Sequence, residues 1–462
     1  MSDYAPMAET GDGHEDDYAL DTNLIAEVRL ALTTEDRDRL VDLFAPLHPA
    51  DIADLLEQLD DTHRRELIVL SGPLIDGEVL SEIDEDLRED VIEILPDTQL
   101  AEAVRELESD DVVDILEDLG GPQQEALLGA LDTSDRLAVE QSLTYPEFSA
   151  GRLMQREVVT APEHWSVGDA IDHLRGQDTL PEQFYHVILV DPRHRPVAYV
   201  TLGRLMSSAR DTLLNSLTED SFRVFRVDED EGDIAYAFNQ YHLISAPVVD
   251  GEGRLSGVIT IDDAMVVLDE EHEEDVFRLA GVGSERLSNS TLRIVRRRFP
   301  WLGVNLATSI LASIVISFFE DVITAVVALA VLMPIVASMG GNAATQSMTV
   351  AVRALATRDL TRSNALRVIR RESVAGLLNG VIFAVVMGIV GIIWFGEPML
   401  GVVIGVAMVI NLLVAGMAGV LVPLALDKMG VDPALASGAF VTTVTDVVGF
   451  FAFLGLASMV LL

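Results

Sequence analysis

The chain has no cysteine among its 462 residues, and a single lysine, Lys428, against thirty arginines. The first absence excludes disulfide bridges and thiolate metal sites. The second, set beside 75 acids and a formal charge of −44, gives the composition of a protein kept hydrated in a high-salt cytoplasm. A surface this negative argues against nucleic acid as a partner. No nucleophile, base and orienting group stand in a recognisable pattern, so no enzymatic activity is expected. The first residues, MSDYAPMAETGDGHEDD, lack the basic and apolar regions of a signal or transit peptide. Residues 1–20 read as a disordered acidic tail.

What is present is unevenly distributed. Before Val276 there are 66 acids and 18 bases; from Val276 onward there are 9 acids and 13 bases. An acidic soluble half therefore precedes an apolar, mildly basic membrane half. The predicted fold class is a multidomain membrane protein with an α-helical, solenoid-like N-domain (21–148), an α/β tandem pair (149–275), a linker helix (276–298) and a five-helix transmembrane domain (299–462).

In the first segment apolar residues recur at three- and four-residue spacing, the helical period. DIADLLEQL (51–59) matches DVVDILEDL (111–119) without gaps, and QLAEAVREL (99–107) is a weaker relative. Repeats of this kind predict a small helical solenoid, with an ordinary bundle as the equal alternative. In the second segment VILVDPRHRPVAYVTLGRLM (187–206) aligns with APVVDGEGRLSGVITIDDAM (246–265) at a constant offset of 59, which reads as strand, turn, strand, helix in each copy. This duplicated unit resembles a pair of CBS domains. That resemblance implies an adenine-nucleotide site of the ATP type at Thr260 and Asp263. The first copy has Arg204 in place of the acid, and Asp263 equally suits the start of a helix.

Asp269 to Asp275 holds six acids and His272. On a helix Glu271, Glu274 and Asp275 share one face and repel. They fit either a divalent-cation site of carboxylate oxygens or a solvated face of a salt-adapted protein. The sign then flips at Arg293, Arg296, Arg297 and Arg298, the inner flank of a membrane span. Apolar runs 299–319, 322–351, 374–395, 399–426 and 433–462 give five spans, each of membrane length. The connector with Arg353, Arg358, Arg362, Arg367, Arg370 and Arg371 lies inside by the same rule, which places the N-terminal domains in the cytoplasm and the C-terminus outside. In the second span Pro334 and Gly340-Gly341 are expected to open the helix, with Asn342, Thr345 and Gln346 presenting oxygens beside the break. The fifth carries one ionisable group, Asp446, with Thr442 and Thr443 on the same face. An acid there costs about 2.5–3.5 kcal/mol on insertion scales and marks a functional site, with a cation as its natural partner.

GGNAATQS (340–347), RRESVAGLLNG (370–380) and ALASGAFVTTVTDVVGF (434–450), in this domain order, resemble the MgtE-type magnesium channels. The resemblance implies a homodimer in the plasma membrane that admits Mg2+, with Asp446 binding the ion in the pore beside Asn342, Thr442 and Thr443. It also implies closure by cytosolic Mg2+ held on Asp230, Asp263, Glu271, Glu274 and Asp275, with Asp110, Asp111 or Asp114 as N-domain partners. His242 and Ala344 depart from the family pattern, where aspartate and glycine are usual. Residues 284–298 would carry the gating motion. The competing readings are a CBS-regulated proton-coupled carrier titrating at Asp446, and a membrane-tethered magnesium or nucleotide sensor without transport.

Overall fold

The nine-residue unit that recurs in the sequence folds the same way twice. Helix Pro49–Gln58 buries Ile52, Ala53, Leu55 and Leu56, and helix Ser109–Glu117 buries Val112, Val113, Ile115 and Leu116, the same four positions of the repeat. The 3.6-residue period puts these four on one stripe. A capping box starts the first copy: the Ala50 N–H donates to His48 Nδ1 (3.3 Å) and the His48 N–H to Asp51 (3.1 Å). A computed structural model of the chain describes residues 20–462 except 106, 118, 178, 179, 182, 220, 221, 281–290 and 362, so the expected acidic tail and part of the expected linker lie outside the described residues.

Helices of two or three turns are marginal alone and depend on stacking. Pro49–Gln58 packs on Gly77–Glu82, that helix on Asp97–Ala103, and that one on Gly121–Leu128. One apolar core runs beneath them from Val28 to Val139. Packing on the next helix but one is the geometry of a solenoid, not of a bundle. Buried arginines serve as helix stops: Arg64 donates to the carbonyls of Leu56 (2.8 Å) and Leu59 (2.7 Å), and Arg88 to that of Ile83 (3.1 Å).

The duplicated segment forms two three-stranded sheets. In one, β1 (Thr160–Pro162) runs parallel to β2 (His186–Val190), which is antiparallel to β3 (Pro196–Thr201). In the other, β4 (Phe225–Arg226), β5 (Ser245–Val249) and β6 (Leu255–Thr260) repeat that order. The register shifts at Leu189/Val190 and again at Val248/Val249. Both turns use an aspartate alike: Asp191 accepts from the N–H groups of Arg193 and Arg195, and Asp250 from those of Glu252 and Arg254. His194 and Gly253, also 59 apart, both take positive φ (60° and 79°). The copies meet at equivalent buried residues, His186 Nδ1 lying 2.5 Å from Ser245 Oγ.

The chain divides into two compact units, Met1–Asp269 and Glu270–Leu462. In the second, five helices are long and apolar enough to cross a membrane: Ile294–Ser317, Ala328–Ala356, Ala365–Phe395, Pro398–Lys428 and Gly438–Val460. The fourth is the most buried and packs against the second, third and fifth. A left-handed Gly396 (φ 70°) ends the third helix and Pro398 opens the fourth, which sets the tight turn between them.

Three details differ from expectation. Glu320–Ala325 is a separate short helix, because Val326 (φ −132°, ψ 82°) leaves the helical region before the second span starts. The third helix begins at Ala365, so it takes in Arg371 and Glu372. Ala328–Ala356 is unbroken through Pro334, Gly340 and Gly341. Neighbouring spans tolerate such residues by packing on them, and here Gly340 admits the Asn411 side chain instead of opening the backbone.

Leu116→Ala should destabilise the first unit by about 2–5 kcal/mol, the usual range for a core leucine, whereas Leu137→Ala, 61% exposed, should be near neutral. Equal urea midpoints for the two, followed by helical circular dichroism, would contradict the core assignment.

Candidate metal sites

In the first unit, helix Ser109–Glu117 brings its acids against the start of helix Ile261–Ala280. Asp110 sits beside Asp263, and burial together with Asp263, Asp111 and Glu108 holds its carboxyl well above the ordinary range. Burial, then Asp263, pushes Asp111 up to about 7. Burial, then Glu157, Asp263 and Asp262, pushes Glu108 up to about 7 as well. Asp263 is raised by burial although the Thr260 hydroxyl donates to it at 2.5 Å. Partners that steady the rim are polar and mostly neutral: Gln155 donates to Glu108, and the Ser109 hydroxyl to Glu157 (2.8 Å).

So Asp110, Asp111 and Asp263 come together, and Glu108 and Glu157 join them. Sequence reading missed the last two; Glu108, two residues before Asp110, was the available signal. Asp114 is occupied differently, ion-paired with Arg88. Asp230 caps helix Glu231–Tyr241, accepting from the Asp233 N–H (3.2 Å). The departure at His242 has a local role: it ends that helix in the left-handed region (φ 54°), where histidine is enriched. Among the described residues no three acids or histidines converge as a ready-made metal shell. The donor set fits a hard divalent cation in chemistry, since carboxylate oxygens with retained water are what magnesium takes.

In the second unit the same problem has another answer. Glu274 pairs with Arg278, four residues on, and Arg278 Nη1 lies 3.3 Å from Asp432, the residue that caps the fifth span by accepting from the Ala434 N–H (2.8 Å). Burial raises Asp275, and Asp432 adds to it while Arg278 opposes. Glu271 lies on the exposed face of the same helix.

Within the membrane helices Asp446 is half-buried and has no hydrogen bond or ion pair among the described residues. Thr442 and Thr443 turn their hydroxyls back on the carbonyls of Gly438 (2.9 Å) and Ala439 (2.5 Å), leaving their oxygen lone pairs free to accept. Asn342 is exposed and donates to Ser338 Oγ (3.3 Å). A Cβ at Gly341, beside Asn342, would meet Thr442 Cγ2 at 3.9 Å, so the second and fifth spans touch at these residues. A further polar contact was not foreseen: Ser347 donates to Glu372 (3.1 Å), which also takes Arg371 (3.2 Å). Glu372 escaped notice because the apolar run starts after it.

A helical solenoid with a duplicated sheet module in one unit, and five apolar helices with an acid unpartnered among the described residues in the other, define a multi-pass membrane protein. A family model described as divalent cation transporter matches residues 333–456, one for the MgtE intracellular N domain matches 47–148, and one for the CBS domain matches 150–211 and 218–270. The magnesium transporter MgtE of Enterococcus faecalis is 34% identical over 321 residues, 70% of this chain and 71% of that protein. The one from Thermus thermophilus is 34% identical over 330 residues, 71% and 73% of the two. The chain belongs to the MgtE family of magnesium transporters. A crystal structure of the cytosolic domain of the Mg2+ channel MgtE in complex with ATP is similar over 53% of this chain and all of that one, at 29% identity and a TM-score of 0.48.

The acid cluster makes a pH prediction. Glu108 titrates near 7 here, against an ordinary 4.5. The folded contact therefore holds more protons than the unfolded chain between those values, and its stability falls as pH rises through that window. Amide hydrogen exchange in Ser109–Glu117 should accelerate from pH 5 to pH 8, after correction for intrinsic rates, and Mg2+ should suppress the change. A flat profile without Mg2+ would contradict the crowding.

Proposed function

We propose that the chain is a homodimeric magnesium channel that admits Mg2+ to the cytoplasm and is closed by Mg2+ bound on its cytosolic acids. The observation that carries this reading is Asp446, half-buried in a membrane-length helix with no partner in its own chain among the described residues. One carboxylate cannot balance a divalent ion, but two related by a two-fold axis can. Magnesium gives up its water reluctantly and demands octahedral oxygen. Paired Asp446 carboxylates would therefore hold a hydrated ion, with Asn342, Thr442 and Thr443 ordering its waters.

The regulatory half follows from the acids crowded around Asp263. Bound cations cancel their repulsion and hold the N-domain on the CBS pair; without cations the contact loosens. Glu271, Glu274 and Asp275 would act in the same sense. Glu274 already shares Arg278 with Asp432, so a cation there supplements an existing pair. An adenine nucleotide at Thr260 and Asp263 would compete with this role, since Asp263 is bonded to Thr260 and faces Asp110. The arginine-rich connector between the second and third spans supports cytoplasmic N-terminal domains and an outer C-terminus.

Asp446→Asn, which keeps the shape and removes the charge, should reduce Mg2+ uptake by liposomes holding the purified chain to the level of protein-free liposomes, with an unchanged elution profile. Native uptake by this variant would sink the pore assignment. Uptake by the unaltered chain that stops when the proton gradient is collapsed would favour the carrier.

A further inference from the structure

A buried amide in the membrane helices has no place in the sites above. Asn411, in helix Pro398–Lys428, is fully buried, and its amide nitrogen donates to the Val336 carbonyl of the second span at 2.8 Å. Its amide oxygen is buried with no hydrogen-bond partner among the described residues. The side chain lies between two glycines of two other spans. A Cβ at Gly340 would stand 2.2 Å from the Asn411 nitrogen, and one at Gly449 would stand 2.8 Å from it. Neither position admits even alanine without movement.

The neighbours of this amide give it meaning. Gly340 is two residues before Asn342, and Gly449 is three residues after Asp446, one helical turn along. Asn411 thus stands where the span carrying Asn342 and the span carrying Asp446 both meet the fourth. A leucine or isoleucine would suit an apolar interior better, and a half-satisfied buried amide is destabilising. Its one satisfied group is the bond to the second span, and interhelical amide bonds of this kind hold membrane helices in register.

We infer that Asn411 is a positioning residue: it sets the spacing of the second and fifth spans, and through it the width of the opening that Asp446 and Asn342 present to the ion. This rests on the channel reading of Asp446. Oxygen stands about 2.0–2.1 Å from magnesium and 2.3–2.6 Å from calcium, so the two hydrated ions differ in radius by a few tenths of an ångström and helix shifts of that size bear on the choice between them.

The test uses the full chain in liposomes and compares Asn411→Leu with the double change Gly340→Ala/Asn411→Ala, which refills the space without restoring the bond. Mg2+ and Ca2+ uptake are measured under equal gradients. Because the chain has no cysteine, spin labels at Val350→Cys and Phe440→Cys, both exposed, report the separation of the two spans by dipolar broadening. In both variants the Mg2+-to-Ca2+ uptake ratio should fall about fivefold, the factor that one ordinary hydrogen bond carries, and the broadening should change while Mg2+ uptake persists. Native ratio and broadening in Asn411→Leu would overturn the inference, and recovery of both in the double variant would reduce Asn411 to a packing element. If the unaltered chain moves neither ion, the channel reading fails separately. The broadening then decides alone: unchanged, it overturns the spacing role; changed, it supports it.

Discussion

A carboxylate held away from water must find a cation or a proton, and much of this molecule is arranged around that requirement. It arises three times with three different answers. Where helix Ile261–Ala280 approaches the fifth span, a permanent cation is built in, Arg278 between Glu274 and Asp432. Around Asp263 burial and mutual repulsion outweigh the nearby Arg88 and hold Glu108, Asp110 and Asp111 above the ordinary carboxyl range. Asp446 has Thr442 and Thr443 on its own helix face and no partner among the described residues, and in the proposed channel the ion itself supplies its counter-charge. A site supplied with its own arginine depends less on ion supply than one where burial and repulsion dominate.

The membrane helices combine an apolar core, with Leu329, Ile404 and Phe453 fully buried, with close backbone approach at glycines. Glycines of the third span face the carbonyls of the fourth, and the fourth faces glycines of the second and fifth. Close approach of this kind transmits small displacements, because little flexible material separates the backbones where a glycine meets a carbonyl. Asn411 belongs to the same economy of space, one amide filling the gap left by two missing methyl groups.

Much of this was legible in the sequence. The 59-residue offset located both sheets, down to the paired turns at Asp191 and Asp250, while the meeting of His186 with Ser245 came only with the structure. The four apolar positions of DIADLLEQL predicted which face each solenoid helix buries. Asp446 stood out because a single charge in an apolar run is conspicuous. Asn411 did not, since an uncharged amide hardly perturbs a hydropathy profile and its partners lie 75 and 38 residues away in sequence. Gly340-Gly341 was misread as a helix break because a glycine needed for contact and one needed for bending look alike until the neighbour is seen. The Arg278 bridge was half visible: its i,i+4 relation to Glu274 is local, while Asp432 comes from another helix.

The central claim is that one ion both passes through the molecule and closes it. The most direct measurement is Mg2+ uptake by the unaltered chain in liposomes, at a fixed outward supply, while Mg2+ on the face bearing the N-terminal unit is raised. The account predicts high uptake at low Mg2+ on that face and a steep decline as it rises, beyond the loss of gradient and with the same decline in a channel-impermeant divalent control only where that ion binds the acid cluster. Uptake that follows the gradient alone, with no separate closing step, would contradict it.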